Sequence, residues 1–190
     1  MTTTNRIDGR RAFEDAVREA FAAAATEGWR ELVLCDPDFA NWPLGERVVV
    51  DSLTRWIGGN RRLTLIALHY DEVARRHPRW VRWRALWAHA VTCRAATEIT
   101  TDDMPSLLLA PGALTLRLDD PLRFLGRVSS DPADAVLTRE KIDAILQQSV
   151  EALPVTMLGL QGISLGAVYF RAGSSTASCI ALRSLNGGSR

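Results

Sequence analysis

Two short apolar runs separated by an amphipathic segment constrain the fold of this chain most strongly. Residues 31–35 (ELVLC) and 63–68 (LTLIAL) are almost continuously apolar, which is typical of strands that are buried on both faces of a sheet. Between them, apolar residues recur at helical spacing from residue 49 to residue 57. Because parallel strands need a crossover helix, a strand, a helix and a second strand in this order predict an α/β fold.

Two further helices are predicted on either side of this core. Apolar residues recur at helical spacing over residues 13–24, and Gly28 ends that helix. After the second strand, a helix is predicted over residues 77–91, with Pro78 in its first turn. Its apolar stripe consists of Trp80, Trp83, Trp87 and Val91.

Toward the C-terminus the pattern changes from crossovers to a hairpin. Residues 107–118 form two apolar runs around Pro111-Gly112, a type II turn signal, and residues 123–128 add a further strand. Thr138 is the predicted N-cap of a last helix that ends near Ala152. The predicted fold is α/β: a mixed sheet with a parallel β-α-β-α-β core, a C-terminal antiparallel hairpin and flanking helices.

The composition predicts one domain followed by a tail. Of 190 residues, 47% are hydrophobic, and we assign residues 1–160 to a single α/β domain. Residues 161–190 are rich in Ser and Gly and are predicted to be a flexible C-terminal appendage. The uncharged run 152–170 is long enough to span a membrane, but its proline and three glycines favour a buried or loosely ordered end. No membrane association is expected.

Charge and cysteine content narrow the functional classes. The net charge of +1 argues against a dedicated nucleic-acid binder, so nucleic acid is not an expected partner. Cys35, Cys93 and Cys179 are odd in number and far apart, which favours a reducing cytoplasm over a disulfide framework or a zinc site. Lys141 is the only lysine, and its sequence context is neither a P-loop nor a Schiff-base motif.

Polar side chains follow both predicted parallel strands and open the helix after the second. In open α/β sheets, ligands usually bind outside the carboxyl ends of the parallel strands. The sequence therefore predicts a ligand-binding crevice at this edge of the sheet. Its expected lining residues are Asp36, Asp38, Asn41, His69, Asp71, His77, Arg79 and Arg82.

Asp36 and Asp38 allow two interpretations. Two carboxylates directly after a buried strand could bind Mg²⁺, or act as nucleophile and acid with His69 nearby. Alternatively, they satisfy backbone groups of the loop that follows the strand. No cofactor is expected under this second interpretation.

Residues 73–97 contain six arginines, two histidines and three tryptophans without an acidic residue. One interpretation packs the tryptophans on the sheet and leaves the arginine heads in water. Other interpretations are a protein interface, a stacking platform for single-stranded nucleic acid, and a phosphate site at the helix start near Arg79.

Taken together, these features lead us to expect a non-catalytic cytoplasmic module that binds an anionic ligand or a protein partner. The alternative is a metal-dependent phosphate-ester hydrolase that uses Asp36 and Asp38.

Four segments carry a resemblance to known proteins. They are DPDFANWPL (36–44), LTLIAL (63–68), YDEVARRHPRWVRWRALWAH (70–89) and TREKIDAILQQSVEALPVTMLGL (138–160). Over residues 10–160 the chain resembles a group of short uncharacterised bacterial proteins, and its element order is similar to one half of the phospholipase D-like fold. That resemblance implies a mixed sheet flanked by helices and a tendency to pair, here as a homodimer.

The resemblance does not extend to the reaction of the phospholipase D superfamily. Its motif is His-x-Lys-(x4)-Asp, and none of His69, His77 or His89 is followed two residues later by lysine. The nearest match is His77-Pro78-Arg79, and Arg84 occupies the position of the aspartate. Phosphodiesterase chemistry is therefore not expected.

Overall fold

One eight-stranded mixed sheet organises residues 3–153, the part of the chain that the computed structural model describes. The strands are β1 (Thr4–Asp8), β2 (Glu31–Cys35), β3 (Arg62–Ala67), β4 (Val91–Ala96), β5 (Ser106–Ala110), β6 (Leu114–Asp120), β7 (Leu125–Ser129) and β8 (Ser149–Glu151). The helices are α1 (Arg10–Glu27), α2 (Arg47–Trp56), α3 (Asp71–Arg76), α4 (Pro78–Leu86) and α5 (Pro132–Gln147). Across the sheet the strands lie in the order β1-β7-β6-β5-β2-β3-β4-β8.

The centre of the sheet is parallel, and its flanks are antiparallel. β2, β3 and β4 run in one direction, with Leu32 opposite Leu63 and Leu63 opposite Val91. The remaining strand pairs are antiparallel, including the β5–β6 hairpin. This hairpin turns at Pro111-Gly112, where the φ of 77° at Gly112 suits a type II turn. The predicted α/β class, parallel core and hairpin are confirmed.

Apolar side chains form a core on each face of the sheet. On one face, α1 to α4 pack around a cluster that includes the buried side chains of Phe13, Trp56, Trp80 and Trp83. On the other face, α5 packs through Ile142 and Ile145 onto apolar side chains of the sheet. Among the described helices, α5 alone contributes to this second core.

The C-terminus of α1 lies at Gly28, as the sequence predicts. Gly28 adopts the left-handed conformation with a φ of 71°, and its amide N–H donates to the carbonyl of Ala24. A Cβ at this glycine would lie 3.1 Å from Nη2 of Arg61. Arg61 also donates to the carbonyl oxygen of Trp56 at the end of α2. One guanidinium therefore lies at the C-terminal ends of two neighbouring helices, where the helix dipoles favour a positive charge.

The predicted helix over residues 77–91 starts correctly but ends too late. α4 covers only the first part of this range, and Val91 is the first residue of β4. The spacing from Trp87 to Val91 matches one helical turn, but Val91 also fits the two-residue period of a strand, since it is buried beside the exposed Thr92. The local pattern therefore permits both assignments.

The last helix begins and ends earlier than predicted. Its N-cap is Asp131 and not Thr138, since the Asp131 carboxylate accepts a hydrogen bond from the amide N–H of Ala133 (3.0 Å). An aspartate followed by proline is a strong start signal for a helix. The helix ends at Gln147 rather than near residue 152, and β8 follows. The sequence patterns do not predict β1, β4 or β8, because these strands lack a continuous apolar run.

The two cysteines in the described residues are buried and unpaired. Burial raises the pKa of the Cys93 thiol to about 11 and also raises the pKa of Cys35. Both thiols therefore stay protonated near neutral pH and pack as small apolar groups. Cys179 and the predicted appendage of residues 161–190 lie outside the described residues. No helix among residues 3–153 is long and apolar enough to cross a membrane.

Candidate functional site

The loops after β2 and β3 lie side by side because these strands are parallel neighbours. Cys35 lies opposite Ile66 in the ladder, and the amide N–H of Asp36 donates to the carbonyl of Ile66 (3.1 Å). One step further, the amide N–H of Leu68 donates to the carbonyl of Pro37 (3.0 Å). The two predicted sets of polar residues therefore begin at the same edge of the sheet.

The Asp36 carboxylate holds the loop after β2. Oδ1 accepts hydrogen bonds from the amide N–H groups of Asp38 (3.1 Å) and Phe39 (2.7 Å), and Oδ2 accepts one from Oγ of Ser106 (2.6 Å). Burial raises the pKa of Asp36, whereas the hydrogen bond from Ser106 lowers it. In the same loop, Asp38 accepts from the amide N–H of Ala40 (2.8 Å). These contacts favour the interpretation in which both aspartates satisfy backbone groups.

His77 connects this loop to the junction of α3 and α4. Its Nδ1 accepts a hydrogen bond from the amide N–H of Gly45 (3.1 Å), so the proton is on Nε2, which donates to the carbonyl of Phe39 (2.9 Å). Burial lowers the pKa of His77 and favours the neutral ring. Both ring nitrogens bind backbone groups, and neither is available to a substrate.

Both the N–H and the carbonyl group of Gly45 form hydrogen bonds with side chains. His77 accepts from its N–H, and Nη1 of Arg79 donates to its carbonyl oxygen (2.6 Å). A Cβ at Gly45 would lie 3.0 Å from Nδ1 of His77 and 3.2 Å from the carbonyl oxygen of Arg76. A residue with a side chain would therefore push the loop away from the α3–α4 junction.

Three of the remaining predicted site residues lie on the surface. Asn41, His69 and Asp71 are exposed, and their side chains form no hydrogen bond within residues 3–153. Asp71 lies in the first turn of α3, where a negative charge suits the helix dipole. Of the eight predicted residues, Asp36, Asp38 and His77 hold the loop after β2 through their hydrogen bonds. Arg79 and Arg82 lie on another surface.

That surface is an open groove of about 400 Å³, here called the arginine groove. Its lining residues are Gly45, Arg76, Pro78, Arg79 and Arg82. Nε of Arg76 donates to Glu72 (2.6 Å), which lies outside the lining, and Arg82 forms no hydrogen bond with a described residue. Arg76 was not among the predicted site residues, because the break between α3 and α4 separates it from Arg79 and Arg82.

A second groove lies between α5 and the chain segment that leads into β5. Its volume is about 450 Å³, and it is here called the α5 groove. Its polar lining includes Asp102, Asp103, Ser106, Arg117, Asp119, Thr138 and Lys141. The sequence predicts no site here, since three distant segments of the chain form the groove. Within residues 3–153, no three His, Cys, Asp or Glu residues are grouped so that they could hold a metal ion.

No protein-family model matches the chain, and no curated protein matches it in sequence. The structure is similar to TrmBL2, an archaeal chromatin protein with a novel mode of DNA binding. The TM-score is 0.56 at 13% identity, over 78% of this chain and 54% of that chain. The present chain therefore spans about half the length of the archaeal protein.

Two smaller proteins are matched over their full length. Nuc from Salmonella typhimurium, a phospholipase D family member, has a TM-score of 0.53 at 6% identity and covers 81% of this chain. NucT from Helicobacter pylori has a TM-score of 0.53 at 5% identity and covers 80%. The chain covers 100% of each of them. The expected distant resemblance to the phospholipase D-like fold is thus confirmed, whereas the resemblance to a group of short bacterial proteins stays a prediction.

Proposed function

We propose that this protein is a non-catalytic binding module that takes an anionic, phosphate-bearing ligand in the arginine groove. The observation that carries this proposal is the arrangement of Arg76, Arg79 and Arg82 around one concave surface, with no acidic residue in its lining. Guanidinium groups match phosphate oxygens in charge and in their planar fork geometry. Arg76 is paired with Glu72, and the positive charges of Arg79 and Arg82 favour an anion over any other class of ligand.

The groove is partly fixed before a ligand arrives. Arg79 is held by the carbonyl of Gly45, and Arg76 by Glu72, whereas Arg82 keeps its guanidinium for a ligand. Because α4 begins at Pro78 in the lining, the positive end of its dipole lies at the groove. A ligand therefore needs to order fewer side chains on binding, which favours affinity.

The neighbouring polar groups support binding rather than catalysis. Both nitrogens of His77 bind backbone groups, and the carboxylates of Asp36 and Asp38 hold the adjacent loop. A general base or nucleophile needs such a group to be free for the substrate. Two buried, unpaired cysteines also suit a reducing cytoplasm, which we propose as the compartment.

The proposal is tested by isothermal titration calorimetry with pyrophosphate and inorganic phosphate at low salt. Arg79→Ala and Arg82→Ala should each weaken binding about tenfold, because each removes a charge-assisted hydrogen-bond donor. Arg11→Ala is the matched control, since Arg11 is 97% exposed and lies on α1 outside the groove. It should leave the affinity unchanged. Equal losses in all three variants, or no binding to the wild type, would contradict the proposal.

The nature of the anion is tested separately. TrmBL2 binds DNA and has the same type of fold, so a short DNA duplex belongs among the probes. The net charge of +1 leads us to expect weak, strongly salt-dependent binding to this duplex. Duplex binding that is tighter than pyrophosphate binding and is lost in Arg82→Ala would identify nucleic acid as the ligand.

The alternative function, a metal-dependent phosphate-ester hydrolase, is tested by titrating magnesium into the wild type and into Asp36→Asn. If the protein is such a hydrolase, the wild type must bind magnesium and Asp36→Asn must not.

A further inference from the structure

The α5 groove contains charges of both signs that come from different segments of the chain. Lys141 lies on α5, whereas Asp102 and Asp103 lie in the segment that leads into β5. The volume of about 450 Å³ is in the range of small-molecule sites. The apolar part of the lining includes Met104, Pro121 and Leu137, which could contact a short hydrocarbon chain.

The charged residues of this groove divide into paired and unpaired groups. Nε of Arg117 lies 3.0 Å from Asp119, and its Nη1 lies 3.6 Å from Asp134, so this arginine is neutralised within the fold. Asp103 accepts a hydrogen bond from the hydroxyl of Thr100 (2.7 Å). Within residues 3–153, the side chains of Asp102 and Lys141 form no hydrogen bond or ion pair. One exposed carboxylate and one exposed ammonium group in this groove therefore have no partner among the described residues.

Thr138 provides an independent sign of a missing partner. The other two threonines within described helices, Thr26 and Thr54, donate to the carbonyl four residues earlier, at 3.0 and 2.7 Å. Thr138 is only 3% exposed, yet its hydroxyl has no partner among the described residues. It lines the groove one turn before Lys141. Buried hydroxyl groups are normally hydrogen-bonded, so Thr138 lacks the acceptor that a helical threonine usually has.

We propose that the α5 groove is a second binding site, whose ligand is a small zwitterion with one carboxylate and one ammonium group. The carboxylate binds Lys141 and accepts the hydroxyl proton of Thr138, while the ammonium group binds Asp102 with support from Asp103. An anion alone would leave Asp102 unpaired, and a cation alone would leave Lys141 unpaired. Only a ligand with both charges uses all the unpaired groups.

A series of ω-amino carboxylates measures both the binding and the spacing of the two charges. Glycine, β-alanine, 4-aminobutyrate and 6-aminohexanoate are titrated by NMR into the full-length protein, with propionate and propylamine as single-charge probes. One chain length should bind about tenfold more tightly than either single-charge probe. Equal affinity for propionate and every zwitterion, or no binding in the series, would overturn the proposal.

Substitutions assign the two ends of the ligand. Lys141→Met and Asp102→Asn should each reduce the affinity for the best zwitterion about tenfold, and Lys141→Arg should retain most of it. Glu140→Gln is the matched control on the same helix and should have no effect, because Glu140 does not line the groove. A loss in Glu140→Gln as large as in Lys141→Met would overturn the assignment. Arg79→Ala should leave zwitterion binding unchanged, so this test is independent of the arginine groove.

Discussion

Two buried polar side chains at the strand ends and three polar side chains of the α5 groove are in opposite states of pairing. At the strand ends, Asp36 and His77 are buried, and their hydrogen bonds hold the loop after β2. In the α5 groove, Asp102, Lys141 and Thr138 have no partner among residues 3–153. A polar residue at the expected place in a fold is thus not by itself a binding group.

The largest effect on stability is expected at the strand ends. Asp36→Ala should lower the free energy of unfolding by about 3 kcal/mol, because it leaves two amide groups and the Ser106 hydroxyl without their acceptor. Urea denaturation at neutral pH measures this difference. Asp119→Ala, at an exposed carboxylate, is the control and should cost less than about 1 kcal/mol. A loss at Asp36 no larger than at Asp119 would remove the contrast between the two regions.

The second prediction concerns pH and His77. Burial lowers the pKa of His77 below its ordinary value of 6.5, so the unfolded chain binds the proton more readily than the folded protein. The stabilisation by neutral His77 is therefore complete above pH 6.5 and is lost as the pH falls below 6.5 toward the folded pKa. Between about pH 7.5 and about pH 5.5, the wild type should lose about 1 kcal/mol more stability than His77→Gln.

Chemical denaturation at both pH values checks this prediction. Protonation of the carboxylates also changes the stability in acid, but it does so in both proteins, so the difference between the wild type and His77→Gln reports on His77. Arg76 and Glu72 are the charged neighbours that influence the pKa of His77, with opposite signs. Arg76→Gln should therefore move the midpoint of this loss of stability to slightly higher pH. Parallel pH profiles of the wild type and His77→Gln would show that protonation of this ring does not affect folding.

A third prediction compares two helical threonines. Thr54→Val should destabilise the protein by about 1 kcal/mol, because it removes the hydrogen bond to the carbonyl of Val50. Thr138→Val should instead stabilise the ligand-free protein by about 0.5 kcal/mol, since it removes a buried hydroxyl that has no partner. Thermal unfolding of both variants measures the signs. Destabilisation of both to the same extent would mean that the Thr138 hydroxyl is bonded within the protein.

The smallest effects are expected for the unpaired charges of the α5 groove. Asp102→Asn and Lys141→Met should each change the free energy of unfolding by less than about 0.5 kcal/mol, because neither side chain has a partner to lose among the described residues. The same urea experiments that are used for Asp36 apply here. A loss above about 1 kcal/mol at either position would assign that residue a structural role.

The strands with a continuous apolar run could be predicted, and the strands without one could not. β2 and β3 are almost continuously apolar because both of their faces are covered, and this pattern differs from that of a helix. β1 is a mostly exposed edge strand, and β8 has only three residues, so neither carries a periodic apolar signal. The beginning of β4 was hidden by an accidental helical spacing between Trp87 and Val91.

The candidate sites could be predicted only where they follow a single strand end. Arg79 and Arg82 were expected at the edge of the sheet because they open the helix after β3. Arg76 joins them through the break between α3 and α4, which the sequence signals only by Pro78. The α5 groove combines residues near positions 102, 119 and 138, and no local pattern indicates that these segments meet.

Strand β8 has a consequence for the behaviour of the whole chain in solution. It pairs with β4 and covers the last strand of the parallel core, and the Arg94 side chain attaches to it through Oγ of Ser149 (3.0 Å). Without β8, the unpaired backbone groups of β4 would form a template on which a second molecule could add a strand. At this side of the sheet, an edge strand of three residues thus replaces one of six, which leaves fewer backbone groups for a second molecule to pair with.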